Sequence, residues 1–217
     1  MNRQRLQAGL DELAMTVSAQ QIDLLQNYTD LLMRWNKVYN LTAIKDADQI
    51  LPLHLFDSLA VAPYLQGKNC LDVGSGAGLP GIPLAIVQPE RQFTLLDTVG
   101  KKARFMQQAV IQLKLPNVSV TQARVESWSP RFAFDAIISR AFASINDFVS
   151  LTAHHLKPQG TLYAMKGRYP AQEMTQLPAA YQVVAETKLQ VPELDAERYL
   201  IEIRQSQTVK TQQNAAK

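Results

Sequence analysis

Apolar residues recur at Ile22, Leu25, Leu32, Trp35 and Tyr39, with Leu24, Tyr28 and Leu31 widening the stripe, and this spacing predicts one long amphipathic helix from Ser18 to about Tyr39. Ser18 carries the hydroxyl that an N-cap needs. A shorter helical pattern runs from about Gln4 to Met15, and another from about Asp48 to Tyr64, started or kinked near Pro52. After Gly67 the period changes. Short apolar runs, CLDVG at 70–74, FTLLD at 93–97, VSVTQ at 118–122, FDAIIS at 134–139 and GTLYAMKG at 160–167, alternate with helical stretches at about 80–88, 100–114 and 144–156. Such alternation predicts an α/β fold with a parallel sheet and helices on both faces. The last two runs, YQVVAETKLQV and ERYLIEIR, are joined by the turn-like PELDA, so they are expected as an antiparallel hairpin that completes a mostly parallel seven-stranded sheet. The implied organisation is a helical extension over 1–66 packed on the core, an α/β domain over 67–205, and a mobile polar tail over 206–217.

Composition narrows the class. At 217 residues the chain suits one domain with an appendage. Its 22 Lys and Arg against 19 Asp and Glu leave a net charge of only +3, which excludes a tail that binds nucleic acid by charge alone. The single cysteine, Cys70, permits neither an internal disulfide nor a Cys-based zinc site, and an intracellular, cytoplasmic protein is expected. Asp11 and Glu12 interrupt the N-terminus where a secretory signal would be apolar, and no apolar stretch reaches about 20 residues, so neither a targeting segment nor a membrane span is expected.

The strongest chemical signal is Leu71-Asp72-Val73-Gly74-Ser75-Gly76-Ala77-Gly78-Leu79-Pro80-Gly81, a glycine-rich turn between the first strand and a helix. In an open α/β sheet that position borders the ligand crevice. The frame Gly76 to Gly81 satisfies G-x-G-x-x-G, so a dinucleotide must be weighed. Pro80 and Pro83 argue against it, because a pyrophosphate at the helix start needs backbone N–H donors that proline lacks. Asp72 would repel phosphate yet suits a cation, and S-adenosylmethionine carries a sulfonium and an ammonium and no phosphate. Asp97 closes the second strand, where a carboxylate can accept from ribose hydroxyls. Ala123-Arg124-Val125-Glu126 follows the third strand and would line an adenine pocket, with Glu126 accepting from the exocyclic amine or standing as a solvated residue at a helix start.

Four blocks, Trp35-Asn36-Lys37-Val38-Tyr39-Asn40-Leu41-Thr42, His54-Leu55-Phe56-Asp57-Ser58, Asp72 through Pro83, and Ser139-Arg140-Ala141-Phe142-Ala143, closely resemble the RsmG family, also called GidB, of bacterial small-subunit rRNA methyltransferases. The resemblance spans about residues 18–204. It implies a Rossmann-like class I S-adenosylmethionine-dependent methyltransferase fold, and methyl transfer to N7 of one guanine, position 527 in the 530 loop of 16S rRNA in the small ribosomal subunit or its precursor. It also implies cofactor contacts at Gly74, Leu79, Val125, Glu126 and Arg140, beside Asp72, Ser75, Gly76, Gly78 and Asp97 of the two strand ends. No metal and a monomer are expected.

Guanine N7 presents a lone pair and carries no proton, so in-line positioning, with no general base, is the expected mechanism. Arg140, Phe142 and Lys166 are the positioning candidates, with Phe142 either stacking on the base or packing in the core. Asn36, Lys37, Asn40, His54, Lys101, Arg104 and Arg168 are candidates for RNA contact, although His54 reads most simply as a hydrogen-bonded structural residue. With Arg3, Arg5, Lys102 and Arg124 they are expected to form a basic rim around the crevice. Trp35 and Tyr39 continue the apolar stripe and are expected in the core. Two other classes stay open on the residues: an NAD-dependent oxidoreductase, and a catalytically silent RNA-binding ribosome assembly factor.

Overall fold

The computed structural model describes residues 3–206, so the polar tail from 207 onward lies outside the described residues. Helix α1 (Arg3–Glu12) leads to α2 (Ala19–Tyr39), whose start is a reciprocal capping box between Ser18 and Gln21. The segment expected as one kinked helix is instead α3 (Ala47–Ile50), a π-helical turn (Leu51–Phe56) and α4 (Asp57–Leu59), followed by turns to Tyr64. Pro52 has no N–H for the regular ladder, and the chain widens by a residue at that point. Then come β1 (Asn69–Val73), α5 (Gly81–Val87), β2 (Gln92–Asp97), α6 (Gly100–Leu113), β3 (Val118–Gln122), β4 (Phe134–Ser139), α7 (Ile145–Thr152), β5 (Leu156–Lys166), α8 (Ala171–Thr175), β6 (Tyr181–Lys188) and β7 (Tyr199–Gln205).

The seven strands lie in the order β3-β2-β1-β4-β5-β7-β6. The first five run parallel, and β7 enters antiparallel between β5 and β6. The chain builds outward from β1 to β3 and then returns to β4 on the other side of β1. This reversal opens a crevice at the carboxyl ends of β1 and β4. Strand alternation divides the core between the two faces. Cys70, Phe93, Leu95, Ala136, Ile138 and Tyr163 pack with α1, α2, α5 and α6, whereas Leu71, Leu96, Ile137 and Leu162 pack with Ile145, Phe148 and Val149 of α7. The N-terminal helices therefore share one apolar cluster with the sheet, and their ends are fixed relative to the strand ends.

Two expectations need correction. The helix expected to run to 156 stops at Thr152, after a 3-10 turn the chain enters β5 at Leu156, and the strand is longer than its apolar run suggested. Pro158 disfavours helix at the residue before it, and buried His155 turns inward to bond the Val125 carbonyl at 2.8 Å. Tyr39 is not core: 46% of it is exposed and its ring rests on half-buried Trp35, because the last turn of α2 overhangs the sheet.

Candidate functional site

The turn after β1 reverses direction through three positive-φ glycines, Gly74 (+70°), Gly76 (+59°) and Gly78 (+85°). A Cβ on Gly74 would lie 2.5 Å from the Ala141 methyl, so the turn can approach the end of β4 only as glycine. Most backbone donors of the turn are occupied within the protein. The amides of Gly74 and Ser75 bond Leu96 O, those of Gly78 and Leu79 bond Ser75 O, Gly76 N–H donates to Asp97 Oδ2 at 2.8 Å, and Gly81 N–H donates to Asp72 Oδ2 at 2.9 Å. Pro80 and Pro83 have none to offer, so the turn is a poor pyrophosphate cradle.

This bonding gives both acidic residues a part in holding the turn. Asp72 is completely buried and braces the start of α5 without reaching the crevice, and its Oδ1 is the one buried side-chain nitrogen or oxygen without a hydrogen-bond partner among the described residues. Burial pushes its carboxyl up to about 7, against the pull of the Gly81 amide and the Ser75 hydroxyl. Asp97, also buried, ties the glycine turn to Val99 N–H at 2.8 Å, with Lys102 Nζ 4.0 Å from it.

A cavity of about 450 Å³ opens over the turn. Gly74, Ser75, Gly76 and Leu79 line it from below, and His54, Arg140 and Lys166 line its sides. A Cβ on Gly76 would meet nothing nearer than Gly74 O at 3.9 Å and Lys102 Nζ at 4.0 Å, and the residue lines the cavity. Two charged lining residues were given no role from the sequence. Asp57, at the start of α4, accepts from Arg140 Nη1 and from Arg198 Nε, each at 2.8 Å, with only 4% of the residue exposed. Arg198 lies 141 positions along the chain, immediately before β7, where no local pattern marks it. His54 has both ring nitrogens engaged, Nδ1 with Leu53 O at 2.9 Å and Nε2 with the Thr42 hydroxyl at 2.7 Å. Burial and the Arg140 charge push its pKa down to about 4, so it is neutral at pH 7. Lys166 holds the carbonyl of Ala143 at 2.9 Å and pairs with Glu173 at 2.8 Å, fixing the loop after β4.

The remaining candidates lie elsewhere. Phe142 packs on Phe148, with ring centroids 5.3 Å apart, and does not line the cavity. Val125 is buried, and Glu126 is exposed in a turn, not at a helix start. Asn36 is buried, donating to Ile44 O at 2.8 Å and accepting from Thr42 N–H at 2.9 Å, so it straps the loop after α2 and is not free for RNA. Asn40 is the left-handed C-cap of α2, which explains an asparagine there. Lys101 is tied to the Tyr39 carbonyl at 2.8 Å, and Lys37, Arg104 and Arg168 are exposed outside the cavity. Among the described residues, no three His, Cys, Asp or Glu side chains gather as a metal site requires, and no helix is long and apolar enough to cross a membrane.

Residues 21–201 match a family described as rRNA small subunit methyltransferase G. The chain is 49% identical over 199 residues, 92% of its length and 93% of the relative's, to the ribosomal RNA small subunit methyltransferase G of Nitrosococcus oceani. It is 48% identical over 200 residues, 92% of its length and 97% of the relative's, to the protein of the same description from Shigella flexneri. Among solved structures, its fold is similar to that of the glycopeptide N-methyltransferase MtfA complexed with S-adenosylhomocysteine, with a TM-score of 0.59 at 12% identity over 70% of this chain and 87% of that one.

Proposed function

The chain belongs to the rRNA small subunit methyltransferase G family, and from that premise we propose that it transfers the methyl group of S-adenosylmethionine to N7 of one guanine, position 527 in the 530 loop, of bacterial 16S rRNA, within the small subunit or its precursor. The observation that carries the choice of N7 is the state of the cavity's titratable groups. His54 has both nitrogens bonded, Asp57 is held by two guanidiniums, and Lys166 is held by Ala143 O and Glu173. None is poised to remove a proton, which disfavours the proton-bearing N1 and N2 of guanine, whereas N7 attacks without losing one.

The donor reading rests on the floor of the cavity. Most of its amides are spent on protein acceptors, which suits a cofactor without phosphate, and the side-chain-less Gly76 on that floor leaves room for one. The same occupied amides count against the NAD-dependent alternative. Gly74, Ser75, Gly76, Leu79 and Arg140 would hold the cofactor directly, and Asp97 would meet its ribose. Asp72 and Gly78 shape the turn from beneath, and Val125 and Glu126 would border its adenine. When bound, S-adenosylmethionine supplies an electrophilic methyl on a sulfonium. The protein's task is alignment, which contributes on the order of 7 to 11 kcal/mol when reactants are well oriented. Arg140 is fixed for that task by Asp57 and by Leu53 O at 3.4 Å. Neutral His54 keeps a positive charge away from a product that is itself cationic. Lys166 positions the Phe142-Ala143 loop over the end of β4.

Incubation with methyl-labelled S-adenosylmethionine and small subunits from cells lacking this protein tests the reading. After digestion to nucleosides, the label is expected in 7-methylguanosine; label in any other nucleoside would overturn the assignment of N7.

A further inference from the structure

The loop after β3 is fastened at both ends. Ala123 N–H donates to Asp97 O at 3.2 Å, and the Asp97 carboxylate holds the Gly76 amide, so one residue ties this loop to the cavity floor. Arg124 O accepts from the Ser127 and Trp128 amides, and Trp128 packs on Phe134 with ring centroids 6.0 Å apart. Between these ends, Val125 O is held from a distant element. His155, in the 3-10 turn before β5, donates Nε2–H to it at 2.8 Å, since a carbonyl can only accept. The imidazole is buried, its centroid 5.5 Å from that of Trp128 and 3.8 Å from that of His154.

The consequence falls on the other side of the same peptide unit. That unit is planar and trans, so its carbonyl and its N–H point in opposite directions. With Val125 O drawn inward to His155, the N–H of exposed Glu126 is aimed away from the buried ring. Among the described residues this amide has no acceptor, whereas most amides of the glycine turn do. It is a donor left for a ligand, on a loop bound to the cavity floor through Asp97. Without the His155 bond, the Val125-Glu126 peptide would be free to rotate and the amide would lose its aim.

We propose that His155 is a positioning residue for cofactor recognition: it touches no ligand itself, and its bond to Val125 O points the Glu126 N–H at N1 of the adenine. The inference rests on the placement of Val125 and Glu126 beside the adenine proposed above, and names the group that sets their direction. Adenine N1 accepts a hydrogen bond, whereas N1 of hypoxanthine carries a hydrogen and donates. A fixed N–H therefore favours the adenosyl ligand over its inosyl counterpart, because the wrong base leaves two donors facing each other. A residue that only filled space would affect both ligands alike.

Calorimetric titration of the full chain with S-adenosylhomocysteine and with S-inosylhomocysteine tests it on the wild type, His155→Phe, His155→Met and His155→Gln. The wild type is expected to favour the adenosyl ligand at least about tenfold. His155→Phe, which fills the site without a donor, should weaken S-adenosylhomocysteine about fivefold and lower the adenosyl-to-inosyl preference by a similar factor. His155→Met gives the same reading should the phenylalanine variant not fold. His155→Gln places an amide donor near the lost Nε2 and should keep the preference within about twofold of the wild type. An unchanged preference in the donor-free variants overturns the inference, and so does an equal loss in His155→Gln, which would assign the effect to ring packing. A wild type that binds both ligands equally overturns the adenine placement on which the inference rests, and one that binds neither overturns the donor reading itself.

Discussion

Replacing Asp57 with alanine removes a single carboxylate that holds two guanidiniums from distant parts of the chain. Both contacts are charge-assisted hydrogen bonds of 2.8 Å, and the Asp57 side chain is 6% exposed. Hydrogen bonds to charged groups contribute about 1.5 to 3 kcal/mol each, and stripping one partner from a buried ion pair costs about 3 to 5 kcal/mol because the other charge is left uncompensated. Here the penalty is smaller. The Arg140 and Arg198 side chains keep 24% and 21% of their surface exposed, so water can reach each guanidinium once the carboxylate is gone. We therefore expect Asp57→Ala to destabilise the fold by about 3 kcal/mol in urea unfolding at pH 7. The loss should persist at 0.5 M salt, since a desolvated pair is poorly screened. A double-mutant cycle with Arg198→Ala should return a coupling of about 1 kcal/mol or more. S-adenosylhomocysteine should also bind Asp57→Ala more weakly, because Arg140 loses the contact that orients it. A destabilisation below about 1 kcal/mol, or one abolished by salt, would refute the view that Asp57 sets the geometry of this cavity wall.

Other expectations follow from the glycine turn. Gly81→Ala would place a methyl 2.2 Å from Leu95 Cδ2 and 2.8 Å from Asp72 Oδ2, so urea titration should show a loss of about 2 to 3 kcal/mol from overpacking at a buried site. Gly76→Ala meets nothing closer than 3.9 Å, and its left-handed backbone alone should cost about 1 to 2 kcal/mol, yet calorimetry should show S-adenosylhomocysteine binding weakened at least tenfold because the new methyl stands on the cavity floor. The pH dependence has a defined sign. Asp72 is raised in the folded state to about 7, so its contribution to stability is complete below the unfolded value near 4 and is lost as pH rises through 7. His54, lowered to about 4, contributes fully above about 6.5 and loses that contribution as pH falls through 4. Between pH 6.5 and 8 Asp72 dominates of the two, and the wild type should lose about 1 kcal/mol of unfolding free energy over that window while Asp72→Asn stays nearly flat.

The central strands were legible because burial on both faces left apolar runs, as in β4, whereas β3 at the sheet edge is only partly buried and showed as an alternation of apolar and polar residues. Helix ends were less so. Whether α7 continued past Thr152 depended on His155 finding the Val125 carbonyl, a partner 30 positions away. The turn from Gly74 to Gly81 announced itself through residue types that only an unusual backbone requires, and Arg140, His54 and Lys166 followed from motifs close to strand and helix ends. Asp57 and Arg198 did not, since each is an ordinary charged residue until the sheet brings them together. Asn36 was misread for a related reason: a polar side chain beside an apolar stripe resembles a solvent-facing one until its two backbone partners in the following loop are known. Tyr39 failed in the opposite sense, because periodicity reports a stripe and cannot report where the surface beneath it ends.

Chain cleavage of 16S rRNA at 7-methylguanosine by borohydride and aniline tests the central claim most directly. The substrate would be small subunits from cells deleted for this protein, before and after incubation with it and S-adenosylmethionine. One new break at a single guanine of the 530 loop, absent without protein or without cofactor, is the predicted result. Methyl incorporation with no such break, or no incorporation by protein that binds S-adenosylhomocysteine, would contradict it.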